Sequence, residues 1–186
     1  ITILRQSAPV AALLEIRAKL ALIGVCPFAQ PGRVKSAALV HRFKVALSLR
    51  ERLFDKPFYR LVYGESDLLP GLVVDRFGDY FVVQIANPGM ERVRDAIVEA
   101  LVQVFKPQAV LFKNDSGARK LEGLDSYVED AYGVMPEKVA LEENGVRFEA
   151  PVRDGQKTGW FYDHRANRAR LAPYVAGKRV LDLYSY

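Results

Sequence analysis

Few residues in this sequence have both the type and the spacing that chemistry requires. The run Gly155-Gln156-Lys157-Thr158-Gly159 has the composition of a phosphate loop. Such a loop needs a glycine directly before the lysine, another five residues earlier, and a helix after it. Gln156 stands where that glycine belongs, which excludes a nucleoside-triphosphate site on this pattern. The one cysteine, Cys26, lies between Val25 and Pro27 with no histidine near it in sequence. Nothing there would activate a thiolate, and a small buried hydrophobe is the reading that fits. The carboxylates Glu142-Glu143, Glu129-Asp130 and Asp115 fall in turns and at edges, where solvation accounts for them. Asp67, between Ser66 and Leu68, reads as a turn former. A single cysteine permits no internal disulfide, and His41 and His164 lie too far apart in sequence for a zinc motif, so no metal site is expected.

The informative stretch runs from Gln156 to Arg168. It joins Gly159 to the large aromatics Trp160 and Phe161, then sets Asp163, Arg165, Asn167 and Arg168 across a helix start. Asp163 in a first helical turn would favour the positive end of the helix dipole, and Asn167 four residues on would face it. Aromatic packing with a helix cap is one account of this pattern. A ligand-facing segment is the other.

The elements that must hold this stretch can be read around it. Asn144-Gly145 favours a type I′ turn and predicts a hairpin of Lys138–Glu143 with Val146–Ala150, followed by a second turn at Asp154-Gly155. Tyr162 to Val175 reads as a helix that Gly177 stops, and Arg179 to Tyr184 as a buried strand opening a parallel α/β sheet. One strand cannot complete such a sheet, so the chain is expected to be a piece of a longer protein. Upstream, Leu39, Val40, Phe43, Ala46, Leu47 and Leu53 recur at helical spacing from Ser36, with His41, Arg42, Lys44, Arg50 and Arg52 largely opposite. Phe58–Tyr63, Leu72–Phe77 and Tyr80–Ala86 read as strands, the last two joined at Gly78-Asp79. Met90–Phe105 reads as a helix with Val93, Ile97, Leu101 and Val104 on one face, and Ala109–Lys113 as a further strand.

The fold class expected is therefore α+β. A small strand-strand-strand-helix-strand middle domain over residues 36–135 precedes the start of a Rossmann-like α/β domain over residues 136–186. Residues 1–35 form an unassigned segment that ends in a Pro/Gly-rich break.

The net charge of +5 over 186 residues is mostly carried by that first segment, so charge alone does not mark the rest as an RNA binder. The apolar run Val10–Cys26 is interrupted by Glu15, Arg17 and Lys19. It is too charged for a membrane span or a secretion signal and better suits an amphipathic helix. A reducing, cytoplasmic setting follows from the cysteine usage.

Three separated blocks resemble the bacterial class I SAM-dependent large-subunit ribosomal RNA (cytosine-5) methyltransferases. Tyr59 to Asp67 with Leu69 to Gly78 is similar to that family's middle domain. Arg119 to Leu124 is similar to its basic loop with a Glu-Gly pair. Lys157 to Arg165 is similar to its Lys-Thr-Gly-aromatic-aromatic-x-Asp-Gln-Arg signature, with His164 in place of glutamine, and Val180 to Tyr186 resembles its first SAM-binding strand. The resemblance covers roughly Ala38 to Tyr186. The family opens with a β-rich PUA domain, which residues 1–35 do not resemble.

The resemblance implies S-adenosylmethionine as cofactor, held by Lys157, Thr158, Gly159, Phe161, Asp163, Arg165, Asp182, Tyr184 and Tyr186. It implies ribosomal RNA as partner, approached by Arg119 and Lys120, and a homodimer as a candidate assembly. The implied chemistry is addition of a cysteine thiolate to the cytosine ring, methyl transfer to carbon 5, and proton removal. The groups that perform it are expected beyond Tyr186, so this fragment alone is expected to be inactive. Methylation of a guanine nitrogen and a non-catalytic RNA-binding module, with Arg42, Lys44, Lys113, Arg119 and Lys120 as its surface, stay open as alternatives.

Overall fold

The computed structural model describes residues 36–181 and residue 183. The expected amphipathic helix at Val10–Cys26, Cys26 itself, and the candidate site residues Asp182, Tyr184 and Tyr186 lie outside the described residues. In chain order the elements are α1 (Ser36–Leu53), β1 (Phe58–Tyr63), a 3-10 turn (Gly64–Asp67), β2 (Leu72–Phe77), β3 (Tyr80–Ile85), α2 (Pro88–Glu91) and α3 (Arg94–Phe105). There follow β4 (Ala109–Asn114), α4 (Gly117–Leu121), β5 (Tyr127–Tyr132), β6 (Val139–Glu143), β7 (Val146–Ala150), a second 3-10 turn (Tyr162–His164) and α5 (Arg165–Val175). This is an α+β architecture. Strands β1 to β5 form one mixed sheet in sequence order, and β6 and β7 form a separate hairpin.

Turn chemistry explains the two tight hairpins. Phe77 pairs with Tyr80, which leaves Gly78-Asp79 as a two-residue loop between antiparallel strands. Gly78 takes a φ of +65°, the positive value that a type II′ turn requires at its first position. At the β6–β7 turn both Asn144 and Gly145 have positive φ, 52° and 78°, as the type I′ turn demands. Between β3 and β4 the pairing is parallel, which requires a crossover connection, and α2 and α3 supply it.

Alternation along the strands sends side chains to two faces, and each face has its own core. Leu72, Val74, Phe81, Val83, Ile85, Val110 and Phe112 join Leu39, Phe43 and Ala46 of α1 and Ile97, Ala100 and Leu101 of α3. On the other face Phe77, Val82, Ala109 and Leu111 meet Met135, Val139, Leu141, Ala150, Val152 and Tyr162. Strand β4 is buried at every position, because both of its faces are covered. The second core joins residues on either side of position 135, so the hairpin and the loop after it are built onto the sheet.

Four details depart from the sequence expectation. The helix expected over Met90–Phe105 is two helices. The Asn87 side chain accepts a 2.8 Å hydrogen bond from Met90 N and starts the first, and the second begins only at Arg94. Strand β5 was not foreseen, because Glu129-Asp130 interrupts its apolar pattern; it is an edge strand whose burial merely alternates. Leu53, expected on the buried side of α1, is exposed, whereas Arg50 turns inward onto Asp67. Finally, Arg179–Leu181 is neither strand nor buried, with Val180 and Leu181 64% and 81% exposed. A strand needs a hydrogen-bonding neighbour, and among the described residues none runs beside this segment. The opening of a parallel α/β sheet is therefore not formed by the described residues.

Candidate functional site

The stretch after β7 folds back on itself before it meets the sheet. Gly155 N donates to Pro151 O at 2.8 Å. Gly159 has a φ of +95°, and a Cβ there would lie 3.0 Å from Val152 Cα and 3.1 Å from Pro151 O. Only glycine fits both the angle and the space. The tight loop carries the buried Thr158 hydroxyl onto the sheet's second face, where it donates to Asp75 Oδ2 at 2.5 Å. Asp75 on β2 is fully buried and is also gripped by Arg60 of β1, Nε to Oδ1 at 2.8 Å and Nη2 to Oδ2 at 2.9 Å. A buried carboxylate is tolerable with such a bidentate partner. Burial works against the charge on Arg60, yet the hydrogen bond and charge of Asp75, aided by Asp163, hold its guanidinium above the ordinary value. Two residues on from Trp160, the Tyr162 hydroxyl donates to Arg76 O at 2.8 Å. Burial, reinforced by the charge of Asp75, pushes that phenol well above its usual range.

A second carboxylate anchors the other side of the stretch. Glu143, the last residue of β6, has its side chain 1% exposed. Arg168 donates to it from Nε at 2.5 Å and from Nη2 at 3.0 Å, Trp160 Nε1 at 3.1 Å and Arg165 Nε at 3.4 Å. Burial alone would raise the Glu143 carboxyl, but the hydrogen bonds from Arg168 and Trp160 and the charges of Arg168 and Arg165 bring it below its ordinary value. Arg165 also donates to Phe58 O and lies over the Phe54 ring, 4.6 Å from its centroid. Phe148 and Trp160 stack at a tilt beside this cluster.

Beneath these anchors lies a cleft of about 590 Å³ between the end of α1, β1 and residues 157–165. Leu49, Leu53, Tyr59, Tyr63, Lys157 and Asp163 are among its lining residues. Arg50 forms one wall, held bidentate on Asp67 at 2.8 and 2.7 Å.

The residues singled out in sequence separate into two groups. Thr158, Gly159 and Arg165 have their polar atoms or their backbone space committed to the fold, where they fasten the hairpin and loop to the sheet. Lys157, Phe161 and Asp163 keep accessible faces. Lys157 places Nζ 4.4 Å from the Phe161 ring centroid. Asp163, with its side chain 61% exposed, has His164 Nε2 at 3.7 Å. Asp163 is not a helix cap: α5 begins after His164, and no side chain caps it.

Arg119 and Lys120 also part company. Arg119 is 1% exposed and donates to Ile85 O, Asp125 O and Glu91 Oε2 at 2.6, 2.8 and 2.9 Å. It ties the loop to the end of β3 and cannot present its guanidinium to RNA, whereas Lys120 is exposed. Lys113, named with them as a possible RNA contact, is likewise buried and donates to Asp115 Oδ2 and Arg153 O.

Asp75 and Arg60 were not singled out in sequence, and Glu143, expected there to be a solvated edge carboxylate, is buried because Arg168 and Trp160 supply the partners that water would have given it. A charged pair inside the apolar run Leu72–Phe77 was the available sign for Asp75, since an unpaired Asp is almost never fully buried. Among the described residues no group of three or more His, Cys, Asp or Glu side chains could hold a metal ion, and no helix is long and apolar enough to cross a membrane.

The proteins to which this chain is similar, in fold and in sequence, are methyltransferases. Over 80% of this chain the structure matches a Streptococcus mutans protein assigned as a SAM-dependent methyltransferase, with a TM-score of 0.64 and 25% identity, covering 38% of that chain. A second structure, of a protein assigned as a methyltransferase and solved in complex with SAH, matches with a TM-score of 0.62 and 24% identity over 77% of this chain and 37% of its own. In sequence the chain is 39% identical over 151 residues to the ribosomal RNA large subunit methyltransferase I of Aliivibrio fischeri (strain MJ11), which is 79% of this chain and 38% of that protein. The protein of the same name from Tolumonas auensis is 36% identical over 167 residues, 87% of this chain and 42% of its own length. The chain thus spans about two fifths of the length of the curated relatives it matches. No protein-family model matches it.

Proposed function

We propose that the protein carrying this chain transfers a methyl group from SAM to ribosomal RNA, at carbon 5 of a cytosine, as a cytoplasmic enzyme. The observation that carries the reading is the docking of the Lys157–Arg165 segment. Thr158 and Glu143 fix both ends of a stretch whose Lys157, Phe161 and Asp163 remain accessible. The similarity to ribosomal RNA methyltransferases over about four fifths of the chain supports it.

These three side chains suit the cofactor. A carboxylate free of any capping bond can accept from hydroxyl or ammonium groups, and an aromatic ring beside a lysine offers a face to a flat heterocycle. SAM supplies the activated methyl group. Asp163 and Lys157 bind and orient it, while Thr158, Gly159 and Arg165 act as positioning residues through their hold on Asp75, the Pro151–Val152 backbone and Glu143. Asp182, Tyr184 and Tyr186, outside the described residues, complete the proposed cofactor contacts. Lys120 is the proposed phosphate contact on the RNA side.

The test is transfer of labelled methyl from SAM by the full-length protein to large-subunit rRNA, followed by digestion to nucleosides. Label in 5-methylcytidine is the expected result. Label in a methylated guanosine moves the target to a guanine nitrogen, and RNA binding without any transfer overturns the enzyme reading in favour of an RNA-binding module.

A further inference from the structure

The 590 Å³ cleft falls within the range of roughly 300–1,000 Å³ that small-ligand sites occupy, and its chemistry is uneven. One side is the cofactor-facing pair Lys157 and Asp163. The other is apolar and aromatic: Tyr63, Leu49 and Leu53 line it and are 56%, 50% and 63% exposed. Tyr63 ends β1, and the next residues turn away through the Gly64–Asp67 turn, so its ring stands at the rim. It does not float there. Asp67 Oδ2 accepts from Tyr63 N at 2.7 Å, and the Arg60 guanidinium lies 5.5 Å from the Tyr63 ring centroid.

Of the cleft's cations, Arg50 pairs with Asp67 and Arg60 with Asp75, Arg165 shares Glu143 with Arg168, and Lys157 lies over the Phe161 ring. Further positive charge lies next door on α1, which besides the paired Arg50 carries Arg42, Lys44 and Arg52 against the single acid Glu51. His41, Lys44 and Arg52 are exposed, on the same helix as the exposed Val45, Leu49 and Leu53. The exposed cations Lys44 and Arg52 therefore lie on the helix that also supplies Leu49 and Leu53 to the aromatic rim. This combination fits single-stranded RNA, in which a backbone tracks cations while an unstacked base lies on an aromatic face.

We propose that Tyr63, with Leu49 and Leu53, is a platform for one unpaired base of the RNA, and that Lys44 and Arg52 hold the phosphates leading to it. The strand is thereby delivered to the side of the cleft opposite Asp163. This rests on the reading that the protein acts on RNA with SAM as cofactor.

The experiment uses the full-length protein, a fluorescently labelled single-stranded RNA oligonucleotide, the same sequence as a duplex, and SAH. Tyr63→Ala is expected to weaken single-strand binding about tenfold, with an unchanged salt slope because no phosphate contact is lost. Tyr63→Phe retains the affinity of the parent, and neither variant alters duplex or SAH binding. The double variant Lys44→Ala/Arg52→Ala lowers the slope of log affinity against log salt by up to about 0.7 per lost contact. Photocrosslinking of a 4-thiouridine oligonucleotide to the unaltered protein is expected to label the peptide containing Tyr63, and decides the matter if Tyr63→Ala proves unstable.

Single-strand affinity unmoved by Tyr63→Ala, with no crosslink at β1, overturns the platform and leaves the methyltransferase reading intact. Loss of SAH affinity with RNA binding unmoved also overturns it, and makes the rim part of the cofactor's own nucleoside site. An unaltered protein that binds no RNA under any condition removes the underlying reading itself.

Discussion

The two faces of the five-stranded sheet are closed by different physics. On the first, Phe43 of α1 and Leu101 of α3 pack on strand side chains such as Leu61 and Phe81, each 0% exposed, and the attraction is the non-directional burial of apolar surface. On the second, a smaller apolar patch is joined by two buried carboxylates, Asp75 and Glu143, each held by arginine and by a hydrogen-bond donor from the Thr158–Trp160 loop. Hydrophobic closure is indifferent to angle. Charge-assisted hydrogen bonds fix direction as well as distance. The face that must place particular side chains at a cleft uses the directional kind, and the face that only needs to be covered uses the other.

Truncation in the first core should give the largest loss. Phe43→Ala is expected to cost about 3–5 kcal/mol of unfolding free energy, because the vacated volume cannot collapse between two helices and a sheet. Denaturant unfolding at neutral pH and again near pH 4 should give the same cost. Asp75→Ala should come next, at roughly 3 kcal/mol, since it strands the Arg60 guanidinium and the Thr158 hydroxyl in a buried setting. Arg119→Ala is expected to be of similar size, with Glu91 and the Ile85 and Asp125 carbonyls losing their donor. Lys120→Ala should leave the thermal midpoint unchanged and alter only the salt dependence of RNA binding. Equal midpoints for the Arg119 and Lys120 variants would contradict the inward placement of Arg119.

Acidity separates the faces further. The Glu143 carboxyl is held below its ordinary value in the fold. Its contribution to stability is therefore complete above the unfolded value, near 4.3, and is lost as pH falls through the folded value. Thermal midpoints measured from pH 7 down to pH 3 should fall more steeply for the parent than for Glu143→Gln, and the two curves should converge at the acid end. Parallel curves would mean that the arginine cluster does not hold the carboxylate.

The same contrast explains what could be read from the sequence. Apolar periodicity located α1, the β2–β3 hairpin and the crossover helix. The Asn-Gly pair located the β6–β7 hairpin, because both signals are local. The polar anchors join residues that are far apart: Thr158 and Asp75 are separated by 83 positions, and no local pattern announces such a partner. Asp163 was open to a capping role because a helix expected from Tyr162 puts it in the first turn. Here Tyr162–His164 is a 3-10 turn and the α-helix begins only at Arg165. Arg119 looked like a surface cation because loops are usually exposed, and its burial depends on carbonyls from β3 and from Asp125, which only the folded chain assembles.

In the proposed function Thr158 positions the loop while Asp163 faces the cofactor, and a crossed comparison in the full-length protein separates the two roles. SAH affinity and thermal midpoint should be measured for Thr158→Val and Asp163→Ala. Thr158→Val is expected to lose about 1–2 kcal/mol of stability, with SAH affinity falling only in step with the folded fraction. Asp163→Ala is expected to keep the parent's midpoint and lose SAH affinity. The reverse pattern, in which Thr158→Val abolishes SAH binding at an unchanged midpoint while Asp163→Ala does not affect it, would contradict the division of roles between the two residues.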